Sequence, residues 1–385
     1  MKGERPTVAA IDLDALAANF GEARRLARGL PAGDRVIAVV KADGYGHGAV
    51  PVARRLVGAG CDALAVATVA EAVELRAAGI DASILVLGGV HDAAEADDVI
   101  EAGVTPVVQH AGHLPLLRAR ARERGTVLAV QLEIDTGMSR MGISPEEAPS
   151  LSEAVERAPE LRLEGTYTHL ACADEPDLGP VRRQLALFRE VLEAITARRI
   201  DPGIVHVANS AALMATADLA ADLPPQVAAA RPGLMLYGVV PAPHLAGAAS
   251  LRPVMSLRTR VANVRHIRPG QPVGYGATFR AKQRGRIATL PIGYADGLPW
   301  SLGNRGQVLI RGRRVPIAGR ISMDLTTLDL GEAEIALGEP VVVFGASNGP
   351  NRSLLPVEQV AEAAGTIPYE MLVRVGGRVP RTLDE

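Results

Sequence analysis

Eight short apolar runs, each followed by a longer stretch of helical period rich in Ala, Leu, Arg and Glu, lie between about residue 35 and residue 240, and this alternation constrains the fold most. The runs are RVIAVVK (35–41), ALAVAT (63–68), SILVLG (83–88), VTPVVQ (104–109), VLAVQLEI (127–134), LRLEGTYTH (161–169), IVHVAN (204–209) and AAARPG (228–233). Strand-length runs alternating with helical stretches imply repeated strand-helix units and a parallel sheet. Eight units within roughly 200 to 250 residues fit a closed (β/α)8 barrel of the TIM type better than an open sheet. The fold class expected is therefore α/β, with the barrel at residues 13–245.

After residue 250 the texture changes. MSLRTRVANVRHI, GRIATLPIGYADG and GQVLIRGRRVPIAGRISMDLTTLDL are short strand-like runs broken by Gly and Pro, the pattern of a separate, mainly-β domain. It is expected over 246–385, joined by an N-terminal strand within 1–12. The Ala, Pro and Gly-rich PAPHLAGAAS (241–250) reads as the connector. A chain of 385 residues suits two domains, because single cores usually stop growing below roughly 300 residues.

Composition removes several function classes. A net charge of −2 without a Lys/Arg block gives no reason to expect nucleic acid or an anionic membrane as partner. Apolar runs are interrupted well short of the roughly 20 residues that span a bilayer. Arg5, Asp12 and Asp14 break the stretch where a secretion signal would need to be apolar. Two cysteines, Cys61 and Cys172, cannot build a disulfide framework and show no zinc-ligand spacing. The expectation is a cytoplasmic protein, without metal, that acts on a small molecule.

In a (β/α)8 barrel the chemistry sits at the carboxyl ends of the strands. The first run ends at Lys41 and enters ADGYGHG, whose Gly44, Gly46 and Gly48 let backbone and Tyr45 approach a ligand. The fifth delivers Glu133, Asp135 and Arg140, the sixth His169, the seventh Asn209 and Ser210, and the eighth Arg231. A partly desolvated lysine at a strand end is a nucleophilic amine suited to Schiff-base chemistry, for which pyridoxal phosphate is the usual partner. Taken alone, Lys41 reads better as a rim lysine in a surface ion pair; the adjacent Gly-Tyr-Gly-His-Gly turn reverses that preference in favour of the cofactor.

AVVKADGYGHG (38–48) resembles the cofactor-lysine segment of the alanine racemase family, pyridoxal-phosphate enzymes of fold type III. IDTGMSRMG (134–142), THLACADE (168–175), HVANSAA (206–212), RPGLMLYG (231–238), PVMSLRTR (253–260), GYGATF (274–279), IGYADG (292–297), GRISMD (319–324) and PYE (368–370) each resemble a further family motif, in order, across nearly the whole chain. Each string alone is weak; their order and spacing carry the likeness.

The resemblance implies a two-base interconversion of L-alanine and D-alanine, supplying D-alanine for peptidoglycan. Lys41 would carry the cofactor and act on one face of the substrate carbon, and Tyr275 on the other, because racemisation removes a proton from one side and returns one to the opposite side. His169 and Arg231 would support Tyr275 through a hydrogen-bonded relay. Arg231 would also face the pyridine nitrogen, whose proton an arginine cannot accept. Tyr45, Ser210, the backbone of Gly233 and Leu234, and Tyr369 match positions that hold the phosphate, while Asn209 would orient Arg231. Asn209 and Ser210 also read as a plain helix cap. Arg140 and the backbone of Met323 would meet the substrate carboxylate, and Tyr294 with Tyr369 would narrow the entrance. The family pattern further implies a homodimer with shared active sites.

Two positions depart from the pattern. Glu133 stands where many relatives have a lysine that becomes carboxylated, so it is expected to supply a carboxylate directly and, though shorter, to neutralise or position Arg140 in direct contact or through water. Ser322 stands where relatives often have Cys. The competing readings are a broader-specificity racemase, for serine or a basic amino acid, a barrel-type decarboxylase, and a non-catalytic pyridoxal-phosphate carrier. Tyr369 argues against the first, Arg231 and Tyr275 against the second, and the β domain with Tyr275 against the third.

Overall fold

The computed structural model describes residues 5–347 and 353–384. Residues 1–4 of the expected N-terminal strand, and 348–352 and 385 of the expected β domain, lie outside the described residues. The chain divides into two compact units, one of residues 16–44 and 49–251, the other of residues 1–15, 45–48 and 252–385.

The first unit is an eight-stranded closed parallel barrel. Strand β1 (Val8–Ile11) belongs to the other unit; the barrel runs β2 (Arg35–Val39), β3 (Ala63–Val66), β4 (Ile84–Val86), β5 (Thr105–Val108), β6 (Leu128–Ile134), β7 (Leu161–Thr168), β8 (Ile204–Ala208) and β9 (Val227–Ala230). Every expected strand is present. The ring closes where β9 meets β2, with Arg35 opposite Ala229 and Val36 opposite Ala230. The strands are short and almost wholly buried, as they must be with side chains inside and helices outside.

Local chemistry sets the helix boundaries. Thr68 and Glu71 form a reciprocal capping box at the start of helix Val69–Ala77, and Asp92 caps helix Ala93–Ala102, which ends on Gly103 in the left-handed conformation. Helix Gly179–Ala197 buries Val181, Leu185, Phe188, Leu192 and Ile195 along one face, each contributing about 1.5–3 kcal/mol.

The first expected strand is shorter at its end than the sequence implies. It stops at Val39, and Ala42, Asp43, Gly44, Tyr45 and Gly46 all take positive φ, between 53° and 80°. A left-handed backbone cannot continue a β ladder, and for Ala, Asp and Tyr it costs roughly 1–2 kcal/mol per residue. The turn is held at both ends: Glu71 Oε1 accepts the Ala42 amide at 2.6 Å, and the turn's own Asp43 Oδ1 accepts that of Ala49 at 2.7 Å. Lys41 therefore opens a strained turn instead of closing a strand.

The second unit is mainly β. Its largest sheet runs Arg313–Pro316, Gln307–Ile310, Pro340–Ala346, Met255–Arg260, Val8–Ile11, Arg381–Leu383. Strand β1 thus pairs antiparallel with Met255–Arg260 and parallel with the last strand, so residues from both ends of the chain share one sheet. Arg258 grips Asp384 with two hydrogen bonds of 3.1 and 2.9 Å. A three-stranded sheet, a two-stranded ribbon and helices Val357–Ala364 and Pro368–Val373 complete it. Among the described residues no helix is long and apolar enough to cross a membrane.

Candidate active site

The carboxyl ends of the barrel strands gather a cationic, largely desolvated cluster. Burial is the main cause that lowers the Lys41 pKa, the Arg140 and Arg231 charges adding to it while Glu71 opposes. The result is an amine closer to its neutral, nucleophilic form.

Arg231 is 4% exposed. Its NH1 group donates to His206 Nδ1 and to the His206 carbonyl at 3.1 Å; NH2 donates to the Thr168 carbonyl at 2.9 Å and to His169 Nδ1 at 3.5 Å. Four of its N–H groups are thereby used, leaving the Nε–H for a further acceptor. The guanidinium lies over the Tyr167 ring, 4.4 Å from its centroid, and Tyr167 stacks on His206 with centroids 4.7 Å apart. Burial, then the Arg231, Arg140 and Lys41 charges, hold the His169 pKa down to about 3. His169 is thus neutral, and because Nδ1 accepts from Arg231 its proton is on Nε2.

Glu133 does not pair directly with Arg140. Its buried carboxylate accepts from Gln109 Nε2 at 2.8 Å and from the Tyr167 hydroxyl at 3.1 Å, and it forms no ion pair with Arg140. Both bonds fall on Oε2 and tie the carboxylate to neighbours on the adjoining strands. Arg140 is exposed, on a turn in which Asp135 Oδ1 accepts the amides of Gly137, Met138 and Ser139 at 2.9–3.0 Å.

Asn209 makes no hydrogen bond to Arg231. Its Oδ1 accepts the Ala212 amide at 3.0 Å as a helix cap and its Nδ2 donates to the Leu170 carbonyl at 3.3 Å. Ser210 Oγ accepts the amides of Gly233 and Met235 at 2.9 and 3.2 Å. Its own hydroxyl proton then remains to donate outward.

The second unit holds the other expected residues. Tyr45 is buried, its ring tilted 41° against that of Tyr369 at 6.3 Å, and burial raises its pKa. Gly46 beside it approaches the Leu372 carbonyl so closely that a Cβ would sit 2.4 Å from the oxygen. Tyr275 stands 72% exposed on a turn in which Gly274 and Gly276 have φ of 72° and 71°. Met323 and Tyr294 are also exposed, and their segments are bound together: the Tyr294 amide donates to the Ser322 carbonyl at 3.1 Å and the Ala295 amide to that of Met323 at 3.0 Å.

Residues that sequence reasoning passed over hold the expected ones in place. In the barrel they are Glu71, Gln109, Gln131, Tyr167 and His206. In the second unit, Arg320 packs its guanidinium against Gly276 and over Trp300, and buried Asp296 pairs with Arg5 at 2.6 Å. A detectable signal existed for several: Gln131 and His206 are polar residues inside apolar strands, and Thr68 with Glu71 is a capping-box spacing. Among the described residues no group of three or more His, Cys, Asp or Glu side chains could hold a metal.

Comparison with known proteins gives the same picture. Residues 11–241 match a family model for the alanine racemase N-terminal domain, and residues 254–383 one for the C-terminal domain. An alanine racemase from Sorangium cellulosum is 40% identical over 385 residues, 98% of each chain, and one from Syntrophobacter fumaroxidans is 40% identical over 366 residues, 95% of this chain and 94% of that one. The crystal structure of alanine racemase from D-cycloserine-producing Streptomyces lavendulae superposes with a TM-score of 0.90 at 36% identity, covering 100% of this chain and 98% of the other. With both domain models matched in order along its length, the chain belongs to the alanine racemase family.

Proposed function

We propose that this protein racemises alanine with pyridoxal 5'-phosphate, using Lys41 and Tyr275 as opposed acid/base groups. The observation that carries the reading is the desolvated lysine amine accompanied, at the same strand ends, by a buried arginine that keeps an N–H to spare. The full-length likeness to proteins named alanine racemase supports the substrate.

The donor set fits the cofactor. Lys41 would hold it covalently, and the Arg231 Nε–H would face a ring nitrogen. The Ser210 hydroxyl, the Leu234 amide, Tyr45 and Tyr369 supply donors for a phosphate, with Gly233 held in place by Ser210. When bound, pyridoxal phosphate supplies an electron sink for the pair left on the α-carbon as its proton departs. Lys41 takes or returns the proton on one face of that carbon and Tyr275 on the other. A phenol has a pKa of roughly 10, so it needs a partner; the neutral His169, with its proton on Nε2, is the group proposed to hand charge between Tyr275 and Arg231. Arg231 cannot give up its own proton, which restricts the electron sink and favours prompt return of the proton to carbon. Arg140 and the Met323 backbone would bind the carboxylate, with Tyr294 and Tyr369 narrowing the way in.

The reading extends to a homodimer in which Tyr275 reaches the Lys41 of a second copy. The exposed Tyr275, Tyr294, Trp300, Met323 and Leu325 of the β unit are the apolar surface offered for that contact. Free Cys61 and Cys172 suit the reducing cytoplasm, where D-alanine for peptidoglycan would be made.

The test is the visible spectrum of purified protein followed by loss of optical rotation with L-alanine, then L-serine and L-lysine. A cofactor band that disappears in Lys41→Ala, with alanine the preferred substrate, is expected. A spectrum unchanged in Lys41→Ala would overturn the cofactor assignment, and faster turnover of serine or lysine would overturn the substrate.

A further inference from the structure

Arg231 is steered by a chain of groups that reaches deep into the barrel wall. His206 Nδ1 accepts from Arg231 NH1, and since arginine only donates, that nitrogen carries no proton. His206 is fully buried, and burial with the Arg231 charge holds its pKa well below the ordinary value, so the ring is neutral and its one proton is on Nε2. The Nε2–H donates to Gln131 Oε1 at 2.7 Å.

Which end of the Gln131 amide faces His206 is decided at its far side. Gln131 Nε2 reaches Glu164 Oε2 at 3.4 Å, and the same oxygen accepts from Thr105 Oγ1 at 2.9 Å. A carboxylate accepts and cannot donate, so the amide NH2 must point toward it and the carbonyl toward His206. Arg162 lies 3.4 Å from the other Glu164 oxygen. Gly165 makes the room, because a Cβ there would come within 3.1 Å of Gln131 Cδ and 2.7 Å of the Ile204 carbonyl oxygen. Reversing the amide would drive the histidine proton to Nδ1, where it would face an Arg231 N–H donor to donor.

We infer that Gln131 is a positioning residue: rooted on Glu164, its amide locks His206 in the Nε2–H tautomer, and that tautomer holds the Arg231 guanidinium in its working orientation. The inference rests on the proposed role of Arg231, but its first readout does not depend on activity.

The test is long-range proton-nitrogen correlation NMR on 15N-histidine-labelled holoenzyme, with the His206 signals assigned by their loss in His206→Gln. The wild-type ring is expected to show a protonated Nε2 and a bare Nδ1. Gln131→Met is expected to give a mixed tautomer and to lower kcat about tenfold, the effect of one lost buried hydrogen bond, with KM within about twofold. Should Gln131→Met fail to fold, Glu164→Gln, at the half-exposed root, frees the amide to reverse and is expected to raise the Nδ1–H population. A wild-type Nδ1–H tautomer would overturn the inference, as would an unchanged tautomer or an unchanged kcat in the folded variant. A protein with the expected tautomer and no racemase activity would instead overturn the proposed function alone.

Discussion

Lowering the pH should unfold the barrel through its buried histidines, and His169 allows the size of the effect to be worked out. Its pKa is held down to about 3 in the folded barrel, against an ordinary value of 6.5. Unfolded chains therefore take up a proton well before the folded state does, and between these values stability falls as the pH falls. At pH 5 the unfolded state gains about 2 kcal/mol from protonating this one ring, and the folded state almost nothing. His113, held down to about 4 by burial and by His110 and His91, adds a second loss of the same sign. Carboxylates in ion pairs contribute at still lower pH, so the His169 share has to be isolated by difference. Urea unfolding of wild type and His169→Gln at pH 7 and pH 5, followed on the barrel transition, provides it. The wild type should lose about 2 kcal/mol more than the variant over that interval. Equal losses would refute the claim that the barrel keeps this ring neutral.

Two further predictions follow from close contacts. Gly293→Ala would place a Cβ 2.3 Å from the carbonyl oxygens of both Ser322 and Met323, so the β unit should lose about 2–4 kcal/mol by urea denaturation, and a loss below about 0.5 kcal/mol would contradict the packing there. Glu133→Gln removes a buried carboxylate that serves Tyr167 and Gln109 and should destabilise the barrel by about 1–3 kcal/mol; a variant as stable as wild type would show that the charge is dispensable.

Much of this was legible in the sequence because it depends on backbone periodicity. Seven of the eight barrel strands lie inside the runs read from alternating texture, and the eighth begins one residue early at Val227, since a strand buried on both faces has to be largely apolar. The position of Lys41 was legible to within two residues. Its left-handed turn was not, because Ala42 and Tyr45 are poor candidates for positive φ, and the bonds from Glu71 to the Ala42 amide and from Asp43 to the Ala49 amide that hold the turn are not local patterns. Partners across strands were also hidden. The sequence places Glu133 at a strand end, yet which neighbour its carboxylate meets depends on the stagger between β5, β6 and β7, which no local pattern encodes. Asn209 illustrates the same limit, its side chain capping a helix and meeting the Leu170 carbonyl with no bond to Arg231.

The central claim is that one copy supplies the amine and a second copy the phenol, and mixing two inactive variants tests it most directly. Lys41→Ala and Tyr275→Phe, each inactive alone, should recover about a quarter of wild-type racemase activity when unfolded together and reassembled, because half of randomly paired dimers are mixed and each mixed dimer has one intact site. Activity remaining at the level of the separate variants, with mixed dimers demonstrated by mass, would contradict the account.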